Sequence, residues 1–379
     1  MSLYLKTLNG TALYPIGFGT TGTGTLASAT KSRDEKTTKI LRHAIDIGVN
    51  CFDTAEIYGG GYAETLLGRV INFHREALYI ITKFNPDNAT PTRLRKSLER
   101  SLKRLDCDYL DQYQMHWPNP FIPFEDTWYE LEQLINEGKI RSVGVGNCSI
   151  EELNTYWQIS HGRIASVEMC LNAGAAGTAD ALISWCQEHG VTIFAYSPLG
   201  QGKLISTFGS SNKFEIITNI CSRYQCSVQA LLLAWVISVR GCVPVMRTAS
   251  IRHLNENIKA VELKLSDEDH KHIATIFQRN SRQIPLATIK VSPIDGRRVY
   301  LSDDEALKNR FDWIPSPNIL AERIRLGNIP TPLELKRNSN GQVVLDTYDF
   351  QGEMKKYWAI RLVYGKNTEV SAFINEETS

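Results

Sequence analysis

No apolar run in this chain of 379 residues approaches the ~20 consecutive residues of a membrane-spanning helix. The opening Met1-Ser2-Leu3-Tyr4-Leu5-Lys6 has neither the apolar stretch nor the cleavage site of a secretory signal. An excess of one charge is also missing: 42 Lys and Arg face 41 Asp and Glu, a formal net charge of +1. No broad attraction to nucleic acid or to a membrane surface is therefore expected. The eight cysteines lie scattered, with no CxxC pair and no Cys/His cluster at zinc spacing. Neither a disulfide framework nor a metal site is expected. Cys51, Cys170 and Cys242 fall in apolar, strand-like runs and read as small core residues. Together these features fit a soluble, reducing, cytoplasmic setting.

What is present is alternation. Short apolar runs at 15–19, 51–55, 78–84, 110–117, 142–147, 165–171, 191–197 and 242–247 are separated by longer amphipathic stretches. One such stretch opens at Thr90-Pro91, with proline suited to the first helical position. Leu94, Leu98, Leu102 and Leu105 then recur at helical spacing, while Arg93, Lys96, Arg100 and Lys103 face elsewhere as a solvated side. Eight β/α units in series predict a closed (β/α)8 TIM barrel rather than an open doubly wound sheet. Ahead of it, Leu5–Leu13 turning at Asn9-Gly10 reads as a hairpin that plugs the bottom.

In that fold catalytic residues lie at the C-terminal ends of strands. Asp53, Lys83 and His116 fall there, and Tyr58 lies on the loop after the second strand. The four make a proton-donating set for a carbonyl. A phenol titrates near pH ~10, too high for an efficient donor at neutral pH. A neighbouring ammonium is expected to lower that value, and a carboxylate to keep the ammonium charged. An imidazole can then direct the substrate oxygen.

The run Phe52-Asp53-Thr54-Ala55-Glu56-Ile57-Tyr58-Gly59, followed by Glu64-Thr65-Leu66-Leu67-Gly68, resembles the first signature of the aldo-keto reductases. Thr82-Lys83 and the histidine after the fourth strand fall in that family's order, and the resemblance spans about Tyr14 to about Phe277. It implies an NADP(H)-dependent oxidoreductase that interconverts a carbonyl (aldehyde or ketone) and an alcohol by hydride transfer. Tyr58 would be the general acid/base, Lys83 and Asp53 would tune it, and His116 would steer the substrate. The other reading is a cofactor-binding regulatory subunit or redox sensor with little turnover.

A Rossmann fingerprint is lacking, since Gly17-Phe18-Gly19-Thr20-Thr21-Gly22 lies on the first barrel strand. The resemblance implies instead a dinucleotide laid across the barrel mouth. Its contacts would include Gly19, Thr20, Thr21 and Asp53. Phe194-Ala195-Tyr196-Ser197-Pro198-Leu199-Gly200 resembles the family's seventh-strand motif, in which Tyr196 stacks on nicotinamide. Ser197, Leu199, Gly200 and Gly202 would bring backbone to the pyrophosphate, the glycines permitting close approach. Arg247 and Thr248 match the residues that meet the adenosine 2′-phosphate, and Glu256 and Asn257 those near adenine. NADP(H) is therefore favoured over NAD(H), because a guanidinium fork suits phosphate. His253 stands where the family usually has arginine, which softens the preference. Asn147 follows Gly146 where the family has serine, and Ser166 replaces a glutamine. Those positions hold the nicotinamide carboxamide. Trp117, with Tyr62 and Trp128, is expected to line a pocket for a small carbonyl or alcohol.

The resemblance divides the chain into 1–280 and an accessory domain, 281–379. The latter carries Trp313, Tyr348, Tyr357, Trp358 and Phe373, more aromatic content than a disordered tail has, and predicts a small α+β domain. Segments such as Thr331-Pro332-Leu333-Glu334-Leu335 resemble the ParB/sulfiredoxin-like fold, whose Asp-Gly-x-x-Arg element is represented only by Gly352-Glu353-Met354-Lys355. No nucleotide chemistry is expected there. Its expected uses are covering the active site or joining subunits into a homo-oligomer.

Overall fold

The computed structural model describes residues 5–6, 12–206, 212–278, 281–291, 299–338, 340–345 and 350–376. These form two compact units, Met1–Pro118 with Ile122–Gln278, and Asn119–Phe121 with Arg279–Ser379. In the first unit eight parallel strands close into a barrel. They are β1 (Gly17–Gly19), β2 (Cys51–Asp53), β3 (Tyr79–Phe84), β4 (Gln112–Met115), β5 (Val143–Gly146), β6 (Ile164–Cys170), β7 (Thr192–Tyr196) and β8 (Cys242–Met246). Each pairs with its sequence neighbours, and β8 returns to β1 with Val245 opposite Gly17. All eight predicted strands are present, in the predicted order.

Helices α1 (Lys31–Asp46), α2 (Tyr62–Ile71), α3 (Pro91–Leu105), α4 (Phe124–Asn136), α5 (Ile150–Ile159) and α6 (Ala176–His189) follow the first six strands. Helices α7 (Asn212–Tyr224) and α8 (Val228–Ile237) follow β7, and α9 (Ile251–Asn257) and α10 (Asp267–Phe277) follow β8. Pro91 sits in the first turn of α3, and Leu94, Leu98, Leu102 and Leu105 form its buried stripe. Asp106 then ends the helix in the left-handed region, with φ of 53°. Outward strand residues and inward helix residues share one apolar core. A second, smaller cluster of Leu13, Cys51, Tyr79, Ile81, Phe194, Val243 and Val245 fills the barrel interior.

Leu5–Lys6 pairs antiparallel with Ala12–Leu13, and Leu13 is fully buried beside the N-terminal ends of β2 and β3. The turn at Asn9-Gly10 lies outside the described residues. One core assignment is corrected: Cys170 ends β6 and is exposed, whereas Cys51 and Cys242 are buried. Among the described residues no single helix is long and apolar enough to cross a membrane.

The second unit holds a four-stranded mixed sheet of β9 (Arg282–Pro285), β10 (Leu333–Arg337), β11 (Val343–Leu345) and β12 (Glu369–Glu376), ordered β9-β12-β10-β11. Helices α11 (Asp303–Leu307), α12 (Pro317–Arg325) and α13 (Phe350–Tyr364) complete a separate core around Tyr300, Trp313 and Trp358. The accessory α+β domain is thus a folded body. Tyr348 lies outside the described residues. Gly352–Lys355 lies inside α13, where Glu353 is buried, accepts from the Glu334 backbone N–H at 2.8 Å and pairs with Lys356 at 2.8 Å.

The α2–α3 packing depends on a residue without a side chain. A Cβ on Gly68 would stand 2.7 Å from the Arg104 carbonyl oxygen and 2.8 Å from that of Leu105. Backbone cannot yield as a side-chain tip does, so Gly68→Ala is expected to cost about 1–3 kcal/mol. Urea unfolding of the intact chain would measure it as a lowered midpoint.

Candidate active site

The site is built at the C-terminal ends of β2, β3 and β4. Asp53 closes β2, and a short 3-10 turn, Tyr58–Gly61, then carries Tyr58 over the barrel mouth. Gly59 has φ of 62°, and a Cβ there would lie 2.0 Å from the Gly24 carbonyl oxygen. Only glycine lets this loop pack so closely. Lys83 projects from β3 into the interior, 1 % exposed, with its Nζ 5.3 Å from the Tyr58 ring centre. His116 follows β4, its ring 5.7 Å from that of Tyr58 and nearly perpendicular to it. Trp117 stacks on His116 at 3.8 Å. The four residues, distant in sequence, therefore converge on one mouth.

The Lys83 ammonium donates to the Asp53 carboxylate and to the Thr54 carbonyl at 3.1 Å. It also faces a residue that sequence reasoning missed. Glu168 on β6 is buried, with Oε2 3.3 Å from Lys83 Nζ, and accepts a hydrogen bond from Gln114 on β4. Two carboxylates thus share one ammonium. Burial alone would drag Lys83 down, but Asp53 and Glu168 overcome it and hold its ammonium above the ordinary value. Burial, then the charge of Glu168, pushes Asp53 up to about 7 against the pull of Lys83.

The expected lowering of the Tyr58 phenol is corrected. Desolvation raises it well above its ordinary value, and the charge and hydrogen bond of Lys83 only partly offset that effect. Desolvation is the largest of these effects, and the charges of Asp53 and Glu168 work in the same direction. The phenol keeps its proton throughout the neutral range.

Of the positions matched to cofactor contacts, several lie at the ends of β1, β5, β7 and β8. Gly19 ends β1, Thr20 donates to the Asp53 carbonyl through both backbone and hydroxyl, and Thr21 is exposed. Asn147, at φ of 58°, donates to the His116 carbonyl at 2.9 Å and accepts from the Tyr196 hydroxyl at 2.8 Å. It ties the ends of β4 and β7 together. Ser197, also left-handed, Leu199 and Gly200 follow and are half-buried, while Gly202 is exposed. Ser166 is fully buried inside the barrel, its hydroxyl without a partner among the described residues. Arg247 donates to the Gly22 carbonyl at 2.9 Å, and Thr248 bonds the Ser250 backbone. His253 is exposed beside Arg252, Glu256 is half-buried, and Asn257 is buried with its amide on the Met246 sulfur. Tyr62 and Trp128 pack among helices: the former bonds Asp34 of α1 at 2.5 Å, and the latter lies in the outer core near Phe124.

Arg247 and Thr248 also border a recess of about 200 Å3 together with Thr23, Arg33 and Lys36. The Thr23 hydroxyl is buried there without a partner among the described residues. Three cationic side chains and an unbonded hydroxyl fit an anionic group such as a phosphate.

The model describing the aldo/keto reductase family matches residues 15–277. The chain belongs to that family. It is 34 % identical over 259 residues to the methylglyoxal reductase YeaE of Escherichia coli, covering 68 % of this chain and 89 % of the relative. An NADH-specific methylglyoxal reductase of the same organism is 28 % identical over 267 residues, with 59 % and 81 % covered. Among solved structures, an aldo/keto reductase from Klebsiella pneumoniae in complex with NADP and acetate superposes with a TM-score of 0.67 at 31 % identity. That match covers 73 % of this chain and 96 % of the other. This aldo/keto reductase therefore has an oxidoreductase barrel followed by a second folded unit.

Its Gly146 has a local physical reason. A Cβ there would stand 2.9 Å from the His116 carbonyl oxygen and 3.1 Å from that of Met115. Gly146→Ser, which restores the usual family residue, is expected to destabilise the barrel by about 1–3 kcal/mol and to displace His116. Thermal unfolding together with turnover would register both effects.

Proposed function

We propose that this protein is an NADP(H)-dependent reductase that converts a small aldehyde or ketone to the alcohol. The observation that carries this is the convergence of Asp53, Tyr58, Lys83 and His116 at one barrel mouth, with their pairing already formed. The nicotinamide, when bound, supplies the hydride. The protein supplies position and the proton. His116 and Tyr58 receive the carbonyl oxygen between them, and Tyr58 releases its proton as charge develops there. Lys83 stabilises the phenolate that results. The resting phenol is held protonated by its dry surroundings, so it enters the reductive step carrying the proton that the carbonyl oxygen takes up.

Arg247, Thr248 and the neighbouring cations Arg33 and Lys36 support a cofactor with a 2′-phosphate. Tyr196, Asn147 and Ser166 are assigned to the nicotinamide end, and Glu256 and Asn257 to the adenine end. The names of the two Escherichia coli relatives make methylglyoxal, a small 2-oxoaldehyde, the first substrate to test. A regulatory subunit with the same barrel would bind cofactor without turning over any carbonyl.

Tyr58→Phe is expected to lower carbonyl reduction by roughly 10²–10⁴-fold while leaving NADPH affinity near wild type. Retention of most of the turnover in a steady-state assay would remove Tyr58 as the acid. Arg247→Ala should weaken NADPH by roughly ten- to a hundred-fold and NADH far less, since a charged hydrogen bond is worth about 1.5–3 kcal/mol. Fluorescence titration separates the cases, and equal losses for both cofactors would discard the phosphate assignment.

A further inference from the structure

Glu168 has no part in the reaction just described, yet the barrel interior is organised around it. A carboxylate can only accept, so Gln114 must turn its amide N–H toward Glu168. The Gln114 carbonyl then accepts from Gln112 at 2.9 Å, and the Gln112 carbonyl accepts from the Tyr79 hydroxyl at 3.1 Å. Every donor in this row, which starts at the N-terminal end of β3, points toward Glu168. Gly144 makes room for it, because a Cβ there would lie 2.5 Å from Gln112 Nε2 and 2.8 Å from Gln114 Oε1. Aligned donors polarise one another and fix the acceptor at the end of the row. Asp53 has no such row: among the described residues Lys83 is the hydrogen-bond partner of its carboxylate.

Lys83 has three N–H donors and four oxygens near them: Asp53, the Thr54 carbonyl, Glu168 and the Tyr58 phenol. The Glu168 carboxylate stands 3.3 Å from Lys83 Nζ. We propose that Glu168 is a positioning residue: fixed in place by the Tyr79–Gln112–Gln114 row, it is the standing counter-ion of Lys83, and Asp53 is left as the carboxylate that takes up and releases a proton. Only O–H bonds are made and broken in that exchange. The titratable groups around Asp53 and Glu168 are Cys51 from β2, Tyr58 from the following loop and Lys83 from β3, with Asp111, just before β4, acting on Cys51.

This inference rests on the roles proposed for Tyr58 and Lys83, but its test does not need a substrate. A carboxyl whose folded pKa is raised contributes stability below its ordinary value and loses it as pH rises through the raised one. For Asp53 that window runs from the usual ~4 up to about 7. Glu168→Gln removes a negative neighbour and should move the fall in stability to lower pH by about one unit. Gln114→Leu removes the donor to the Glu168 carboxylate, so the Asp53–Glu168 pair should hold a proton more tightly and the fall should move to higher pH. Urea unfolding from about pH 5 to about pH 9 reads both shifts, and the pH profile of carbonyl turnover should follow with the same opposite signs. Unmoved midpoints, or shifts of one sign in both variants, would overturn the proposal. If Glu168→Gln does not fold, the upward shift in Gln114→Leu decides alone. A wild-type protein inactive on every carbonyl would defeat the proposed function, while the unfolding series would still decide the role of Glu168.

Discussion

Lys83 carries a full charge into the interior of the barrel, 1 % exposed, and the rest of the site is arranged around the cost of keeping it there. Taking an ion that far from water costs on the order of several kcal/mol. Two carboxylates and a backbone carbonyl offset this, and they come from β2, β6 and the turn after β2. Closure of the barrel is what brings these strands around β3. The fold and the charge cluster therefore depend on each other. Three charges on one side would repel, whereas two negative and one positive hold together and leave a carboxyl ready to take up a proton near neutral pH.

The same arrangement determines how the phenol behaves. In water an adjacent ammonium would dominate its titration. Inside the barrel mouth Asp53 and Glu168 oppose the effect of the ammonium, and the loss of water around the oxygen is the largest influence. The phenol is kept as a proton donor. The glutamines of β4 point their amide donors along the row that ends at Glu168.

Much of this was legible in the chain itself. Eight apolar runs separated by amphipathic stretches point to the closed barrel, because eight β/α units in series suit that layered arrangement. The stripe of Leu94, Leu98, Leu102 and Leu105 on α3 needed no tertiary knowledge. Neither did the placing of Asp53, Lys83 and His116 at strand ends, nor the existence of a second folded unit, which its tryptophans and tyrosines require. The glycine at 146 could be seen as a departure from the family pattern, though its cause could not.

Tertiary structure alone decided what surrounds those residues. Glu168 lies 85 positions beyond Lys83 in the chain, an ordinary acidic residue in an apolar run until β6 and β3 face each other across the barrel. Gln112 and Gln114 are polar residues within a strand, and only the closed interior turns them into an oriented row. Trp128 and Tyr62 were placed among helices by packing that residue type does not reveal. Sequence reports which groups are available and which faces must be buried. Desolvation and net local charge depend on distances between segments far apart in the chain, and those distances exist only once the barrel has closed.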